Sequence, residues 1–236
     1  MRYLLMGGQA CVFYGAAEFS RDLDLVILLD GANLDRLRLA LEELEASAIA
    51  IPHLDPAALL RGHAIHFRCG RPDVSGLRID VMARLRGVAS FEDLWEQRTT
   101  IETEGETVEL LSLHDLVSAK KTQRDKDWPM IRRLVEQSFY STEEPSAEAV
   151  DFWLAELRTP DLLLEVAARY PEAAARSKRE AVRAALRGDR VAIEAALDAE
   201  QQAERAADRL YWEPLTRELQ LLRRSRRTTP TGRPGS

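Results

Sequence analysis

Asp22 and Asp24 stand two residues apart in Ser20-Arg21-Asp22-Leu23-Asp24-Leu25-Val26-Ile27, and Asp80 sits far downstream in Leu77-Arg78-Ile79-Asp80-Val81-Met82. Aliphatic and β-branched neighbours mark both segments as strands. Residues i and i+2 of a strand share a face, so Asp22 and Asp24 project together. A third acid from a neighbouring strand completes a set of hard oxygen ligands of the kind that Mg²⁺ or Mn²⁺ takes. Without a cation the set is unfavourable: carboxylates about 4.5 Å apart repel by roughly 4 kcal/mol at an effective dielectric of about 20. The plain alternative is an acidic strand face solvated by water, and the apolar flanks argue against it.

Upstream lies Tyr3-Leu4-Leu5-Met6-Gly7-Gly8-Gln9-Ala10-Cys11, an apolar strand that delivers a glycine pair into a helix-compatible stretch ending at Tyr14-Gly15. Paired glycines let backbone N–H groups approach a phosphate closely; a tight turn is the plain alternative. Ser20 either donates to a phosphate or caps a turn. Lys120 and Arg124, four residues apart, are expected on one helix face, where two cations call for a triphosphate, an acidic side chain or water. Lys121 is assigned to the surface and Asp127 to a helix cap.

Together these residues resemble the DNA polymerase β-type nucleotidyltransferase superfamily, through Met6-Gly7-Gly8, Asp22-Leu23-Asp24 and Asp80. The nearer resemblance is to a bacterial branch related to abortive-infection and toxin-antitoxin nucleotidyltransferases. It rests on Gly7-Gly8-Gln9-Ala10, Tyr14-Gly15, Ser20-Arg21-Asp22-Leu23-Asp24, Lys120, Arg124 and Lys126-Asp127. Glu18 stands where that branch often has Arg, and Arg21 is placed to compensate. The resemblance covers residues 1 to 140. It implies an α/β (α+β) fold, with a mixed sheet flanked by helices, and transfer of an NMP from an NTP to a hydroxyl of RNA, protein or a small molecule. It further implies Asp22, Asp24 and Asp80 as catalytic metal ligands for Mg²⁺ or Mn²⁺. Gly7, Gly8, Ser20, Arg21, Lys120 and Arg124 become nucleotide-binding residues, and a partner protein fits a toxin-antitoxin or phage-defence setting. A non-catalytic module binding nucleotide or a partner is the second reading. The Glu18 departure favours it, as does a strand starting almost at Met1 where the family usually has a preceding helix; the intact acid triad argues against it. That helix is either lacking here or encoded upstream.

The chain has 236 residues, 45% of them hydrophobic, and a net charge of −6. This allows one large or two modest domains with a sizeable core, and gives no global basic field for nucleic acid. No run reaches the ~18 apolar residues of a membrane span, and no secretory leader is evident. Two cysteines, Cys11 and Cys69, point to a reducing compartment, and the cytoplasm is expected.

Patterning predicts strands over 2–6, 23–29, 48–51, 64–69, 77–83 and 107–111, with 64–69 and 77–83 paired as a hairpin. Helices are expected over 9–16, over 34–46 with Asn33 as cap, over 91–97, from Ser112 (with Asp115 as box partner) to Arg124, and again from Asp127-Trp128-Pro129. A nucleotidyltransferase domain over 1–140 is followed by a linker at 142–146 and a helical region over 146–224. There Pro160 and Pro171 start helices, Gly188 interrupts one and Glu213-Pro214 bends the chain. Residues 225–236, with their arginines, read as a disordered tail. His63, His66 and Cys69 alternate faces on a strand, which argues against zinc. His114 is assigned to the surface, and Trp95, Trp128, Trp153 and Trp212 to the core.

Overall fold

The computed structural model describes residues 1–103 and 105–228 of the chain. Strand β1 (Tyr3–Met6) runs straight into helix α1 (Gly7–Phe13), and β2 (Asp22–Ile27) and α2 (Gly31–Glu43) follow. Next come β3 (Ser47–Ala48), α3 (Pro56–Arg61), β4 (Ile65–Arg68), β5 (Arg78–Met82), α4 (Phe91–Glu96), β6 (Thr99–Thr103) and β7 (Glu106–Leu110). The rest is helical: α5 (Leu113–Ala119), α6 (Asp127–Ser141), α7 (Ala147–Glu156), α8 (Pro160–Arg169), α9 (Pro171–Arg176), α10 (Glu180–Leu186) and α11 (Arg190–Thr228). None of the described helices is long and apolar enough to cross a membrane.

The strands form one seven-stranded mixed sheet in the order β3-β4-β5-β2-β1-β7-β6. Central β2 pairs antiparallel with β1 and parallel with β5, and the expected β4–β5 hairpin forms. Strand β6, which the patterning missed, pairs antiparallel with β7 at the sheet edge. Its sequence, Thr99-Thr100-Ile101-Glu102-Thr103, carries one aliphatic residue, which suffices for an edge strand with a wet face. In β2 the residues Leu25, Val26 and Ile27 are all buried, so both faces are covered there, whereas Asp22, Leu23 and Asp24 are half-buried. Polar chemistry on this strand is therefore confined to its beginning.

Asp30, not Asn33, caps α2: its Oδ1 accepts from Asn33 N at 2.7 Å. The Asn33 side chain is buried instead, donating to Arg2 O and Leu28 O at 2.8 Å each and accepting from Arg2 N at 2.6 Å. This joins the start of β1 to the exit of β2. Ser112 caps α5 as expected, accepting from Asp115 N at 3.1 Å. However, α5 ends at Ala119 with Lys120 as its C-cap, so Lys120 and Arg124 share no helical face. Local polar bonds compete with the helix here. Thr122 Oγ1 accepts from Arg124 N at 3.1 Å, and Thr122 O accepts from Trp128 Nε1 at 2.8 Å. Asp127 is buried and does not cap α6, whose N-cap is Lys126. Its Oδ2 takes the Thr122 hydroxyl at 2.5 Å and Arg124 Nε at 2.7 Å, closing the loop.

In the helical half Ser146 caps α7, and Pro160 and Pro171 occupy first turns. Gly188, with φ of +69°, separates α10 from α11. Pro214 makes no break: it lies inside α11. A proline there removes the N–H that would bond Leu210 O, and Leu210 is exposed, so water can serve that carbonyl. Helix α11 also carries residues 225–228, part of the segment expected to be disordered, as helix; 229–236 lie outside the described residues. One contiguous apolar core runs from Leu4 of β1 to Leu197 of α11 and includes Trp128 and Trp153.

Candidate active site

Strand register assembles the site. Asp24 of β2 lies opposite Asp80 of β5, and Asp22 lies opposite Arg78. Across the next ladder His66 of β4 lies opposite Asp80. Directly paired residues share a face, as do i and i+2. Asp22, Asp24, Arg78, Asp80 and His66 therefore project from one face of the sheet.

The two acids of the central rung differ electrostatically. Burial pushes the Asp80 carboxyl up, but hydrogen bonds from His66 and Arg78 outweigh it and hold the group below its ordinary range. Arg78 grips it through both oxygens, Nε to Oδ1 and Nη2 to Oδ2, at 2.8 Å each. His66 Nδ1 lies 2.8 Å from Asp80 Oδ1 and 3.1 Å from Arg78 Nη2, so its tautomer sets whether it donates to the carboxylate or accepts from the guanidinium. Asp24 moves the other way. Burial raises its pKa and the Asp80 charge adds to this, with partial relief from the Gly8 N–H and the Lys120 charge.

The glycine pair forms the floor under these groups. A Cβ on Gly7 would lie 1.9 Å from Asp24 Oδ2, and one on Gly8 would lie 2.4 Å from Ser20 Oγ. Gly7 also holds φ at +66°. Ser20 Oγ donates to Asp22 O at 3.2 Å, and Gln9 Nε2 donates to Ser20 O at 3.0 Å, folding the loop before β2 onto α1. Arg21 is exposed and lies over the Phe19 ring, 5.9 Å from its centroid. Tyr14 serves the scaffold, its hydroxyl meeting Leu111 O at 2.8 Å and Thr99 Oγ1 at 2.7 Å.

Lys120 is only 9% exposed, and its charge acts on both Asp24 and Cys11. Arg124 does not stand beside it but pairs with Asp127 at 2.7 Å. Lys121, assigned to the surface, is half-buried and pairs with Glu156 at 2.7 Å. His114 is exposed as expected, but stacks on Phe152 of α7 with ring centroids 4.2 Å apart.

The carboxylate set suits a hard cation in the chemistry of its donors. Among the described residues, however, no three His, Cys, Asp or Glu side chains converge as a closed cage. Asp80 faces a guanidinium instead.

No family model matches the chain, and no curated protein matches it. Two solved structures are similar to it. An antigenic nucleotidyltransferase-like protein from Paracoccidioides brasiliensis is 18% identical, with a TM-score of 0.35, over 74% of this chain and 83% of that one. A candidate nucleotidyltransferase from H. pylori is 13% identical, with a TM-score of 0.38, over 86% of this chain and 87% of that one. Overlaps this loose carry no chemistry, which rests on the side chains themselves.

Two members of the acid face escaped the sequence reading. Arg78 was within its reach, because the i, i+2 rule that joins Asp22 to Asp24 also joins Arg78 to Asp80. His66 was not, because only the β4–β5 register brings it to Asp80. The cavities of ≈ 670 Å³ along α11 and ≈ 420 Å³ among Leu5, Leu25, Leu41 and Ile79 are lined by none of the three acids.

Proposed function

We propose that the protein is a metal-dependent nucleotidyltransferase that moves an NMP from an NTP to a hydroxyl acceptor and releases pyrophosphate. The observation that carries this reading is the Asp24–Asp80 rung, with Asp22 on the same face and the Gly7-Gly8 pair packed beneath. Asp22, Asp24 and Asp80 are the residues that would hold Mg²⁺ or Mn²⁺. Such a cation, when bound, supplies charge neutralisation at the phosphates and activation of the acceptor hydroxyl. Gly7 and Gly8 keep side chains off the approach of the triphosphate, while Ser20 and Arg21 lie on the adjoining loop. Lys120 brings a buried positive charge to the Asp24 side, suited to the charge that develops on leaving pyrophosphate. Arg124 joins it only by leaving Asp127. In the transfer, the acceptor oxygen bonds to the α-phosphorus as the bond to the bridging oxygen breaks. The hydroxyl proton passes to a carboxylate of the triad.

The acceptor classes are an RNA 3′ end, a protein side chain and a small-molecule hydroxyl, and a net charge of −6 disfavours long RNA. The sequence resemblance supports a toxin-antitoxin or phage-defence setting with a partner protein, and the cysteine content supports a cytoplasmic one. The second reading, a non-catalytic nucleotide- or partner-binding module, is favoured by one observation: Asp80 is already neutralised by Arg78.

The test is incubation with Mg²⁺ and each α-³²P-labelled NTP, offering total tRNA or a cell lysate as acceptor. The control is the Asp22→Ala/Asp24→Ala double mutant. Label moving onto RNA or protein in the wild type alone is the expected result and identifies base and acceptor class. Mg²⁺-dependent NTP binding with no transfer to RNA, protein or lysate metabolites would sink the catalytic reading.

A further inference from the structure

Arg78 answers all three acids. Its guanidinium takes both oxygens of Asp80 at 2.8 Å, and the charges of Asp22 and Asp24 also act on it. His66 Nδ1 lies 2.8 Å from the same Oδ1. Both oxygens of Asp80 are thus in use, in the fork-to-fork arrangement that is among the stronger side-chain contacts. Asp24, on the same rung, has weaker relief from a backbone N–H and the Lys120 charge. A divalent cation that is to include Asp80 among its ligands must first displace a cation the protein itself supplies. The Arg78 side chain is 39% exposed, so it can swing from Asp80 toward solvent. A guanidinium binds phosphate oxygens with the same fork geometry that it offers a carboxylate.

Resting on the nucleotidyltransferase reading above, we propose that Arg78 is a built-in counter-cation that competes with the metal for Asp80, and that the triphosphate of an incoming nucleotide frees Asp80 by drawing Arg78 onto its own oxygens. Arg78 is then a positioning residue. It keeps the third carboxylate neutralised until nucleotide arrives, so that full metal binding follows nucleotide rather than preceding it. The repulsion within the triad is thereby offset in the protein without ligand. It also explains why three acids that share a face do not form a ready cage.

The experiment is Mn²⁺ binding, followed by electron paramagnetic resonance and calorimetry. The wild type, Arg78→Gln and Arg78→Lys are compared, with and without an ATP analogue whose α,β bridge is non-hydrolysable. Without nucleotide, R78Q is expected to bind Mn²⁺ about tenfold more tightly than the wild type, with R78K between them. The analogue is expected to tighten Mn²⁺ binding strongly in the wild type and much less in R78Q. Circular dichroism checks that each variant keeps its fold, and R78K, which retains the charge, guards against a folding artefact in R78Q. Equal or weaker Mn²⁺ affinity in R78Q without nucleotide overturns the inference. If Mn²⁺ binds through Asp22 and Asp24 but ignores Arg78, only this inference falls. If Mn²⁺ binds no form of the protein under any condition, the proposed function falls with it.

Discussion

Asp24 and Asp80 face each other across one rung, yet their surroundings drive their proton affinities apart. Burial and the neighbouring Asp80 charge raise the Asp24 carboxyl above its ordinary 3.8. A carboxylate raised on folding favours the folded state in its protonated form. That advantage is complete below the unfolded pKa and is lost as pH rises through the folded one. Asp24→Asn is therefore expected to be more stable than the wild type at pH 7 in the presence of a chelator. The margin should shrink as pH falls from the raised folded value of Asp24 toward the ordinary carboxylate value, below which it is gone. Urea unfolding of both proteins at a series of pH values checks this, and a margin that grows toward acid pH would contradict it. Gly7 is constrained from two directions, by φ of +66° and by a Cβ position 1.9 Å from Asp24 Oδ2. Gly7→Ala is expected to cost about 1–3 kcal/mol of stability, measured by the same method. Types and spacing alone marked Asp22, Asp24, Gly7 and Gly8, because strand alternation and glycine runs are local signals. His66 gave none, since its partner is in another strand.

At the scale of elements, the loop after α5 depends on α11. Asp208 is only 1% exposed, and accepts from Arg86 Nε at 3.1 Å and from Gln123 N at 2.8 Å. Arg86 also donates to Lys121 O and pairs with Glu204 at 3.0 Å, while Arg205 pairs with Asp125 at 2.7 Å. The segment that begins with Lys120 is thus held from outside its own helix. Asp208→Ala leaves a mostly buried guanidinium and a backbone N–H without their shared acceptor. Because Arg86 keeps Glu204 and Lys121 O, the expected loss is about 1–3 kcal/mol, with faster hydrogen exchange at Gln123. Asp208→Asn, which keeps an acceptor, should lose less; denaturant melts and exchange measurements compare the two. Helix periodicity found α5 and its Ser112 cap but ran the helix on to Arg124. Asp127 and Thr122 end it through bonds to one another, which no apolar spacing reports.

At the scale of the molecule, α11 ties the helical half to the sheet. Near its beginning Glu200 binds Arg179 at 2.8 Å, and toward its end Glu218 binds Arg61 at 2.7 Å and His63 at 3.0 Å. The core is continuous between the two halves. Calorimetry is therefore expected to show one cooperative transition for the whole chain. Two well-separated transitions would mean that the helical half folds by itself. Near the composition shift at residue 142, α6 ends at Ser141 and α7 begins at Ala147, but a local shift in residue types says nothing about packing across it.

The sequence alone determined what its local periods can express: the acid pair and the lone acid on strands, the glycines before a helix, most helix starts, and an α/β half followed by a helical half. Tertiary structure decided the rest. Register brought His66 and Asp24 to Asp80, long-range bonds from Asp208 and Arg86 braced the loop after Lys120, and anchors on either side of Pro214 accompany a helix that patterning would have broken. The reason is physical. Spacing along a chain reports neighbours within one element, whereas a strand partner or a helix brace is supplied by residues far away in the chain, and only the folded backbone brings them together.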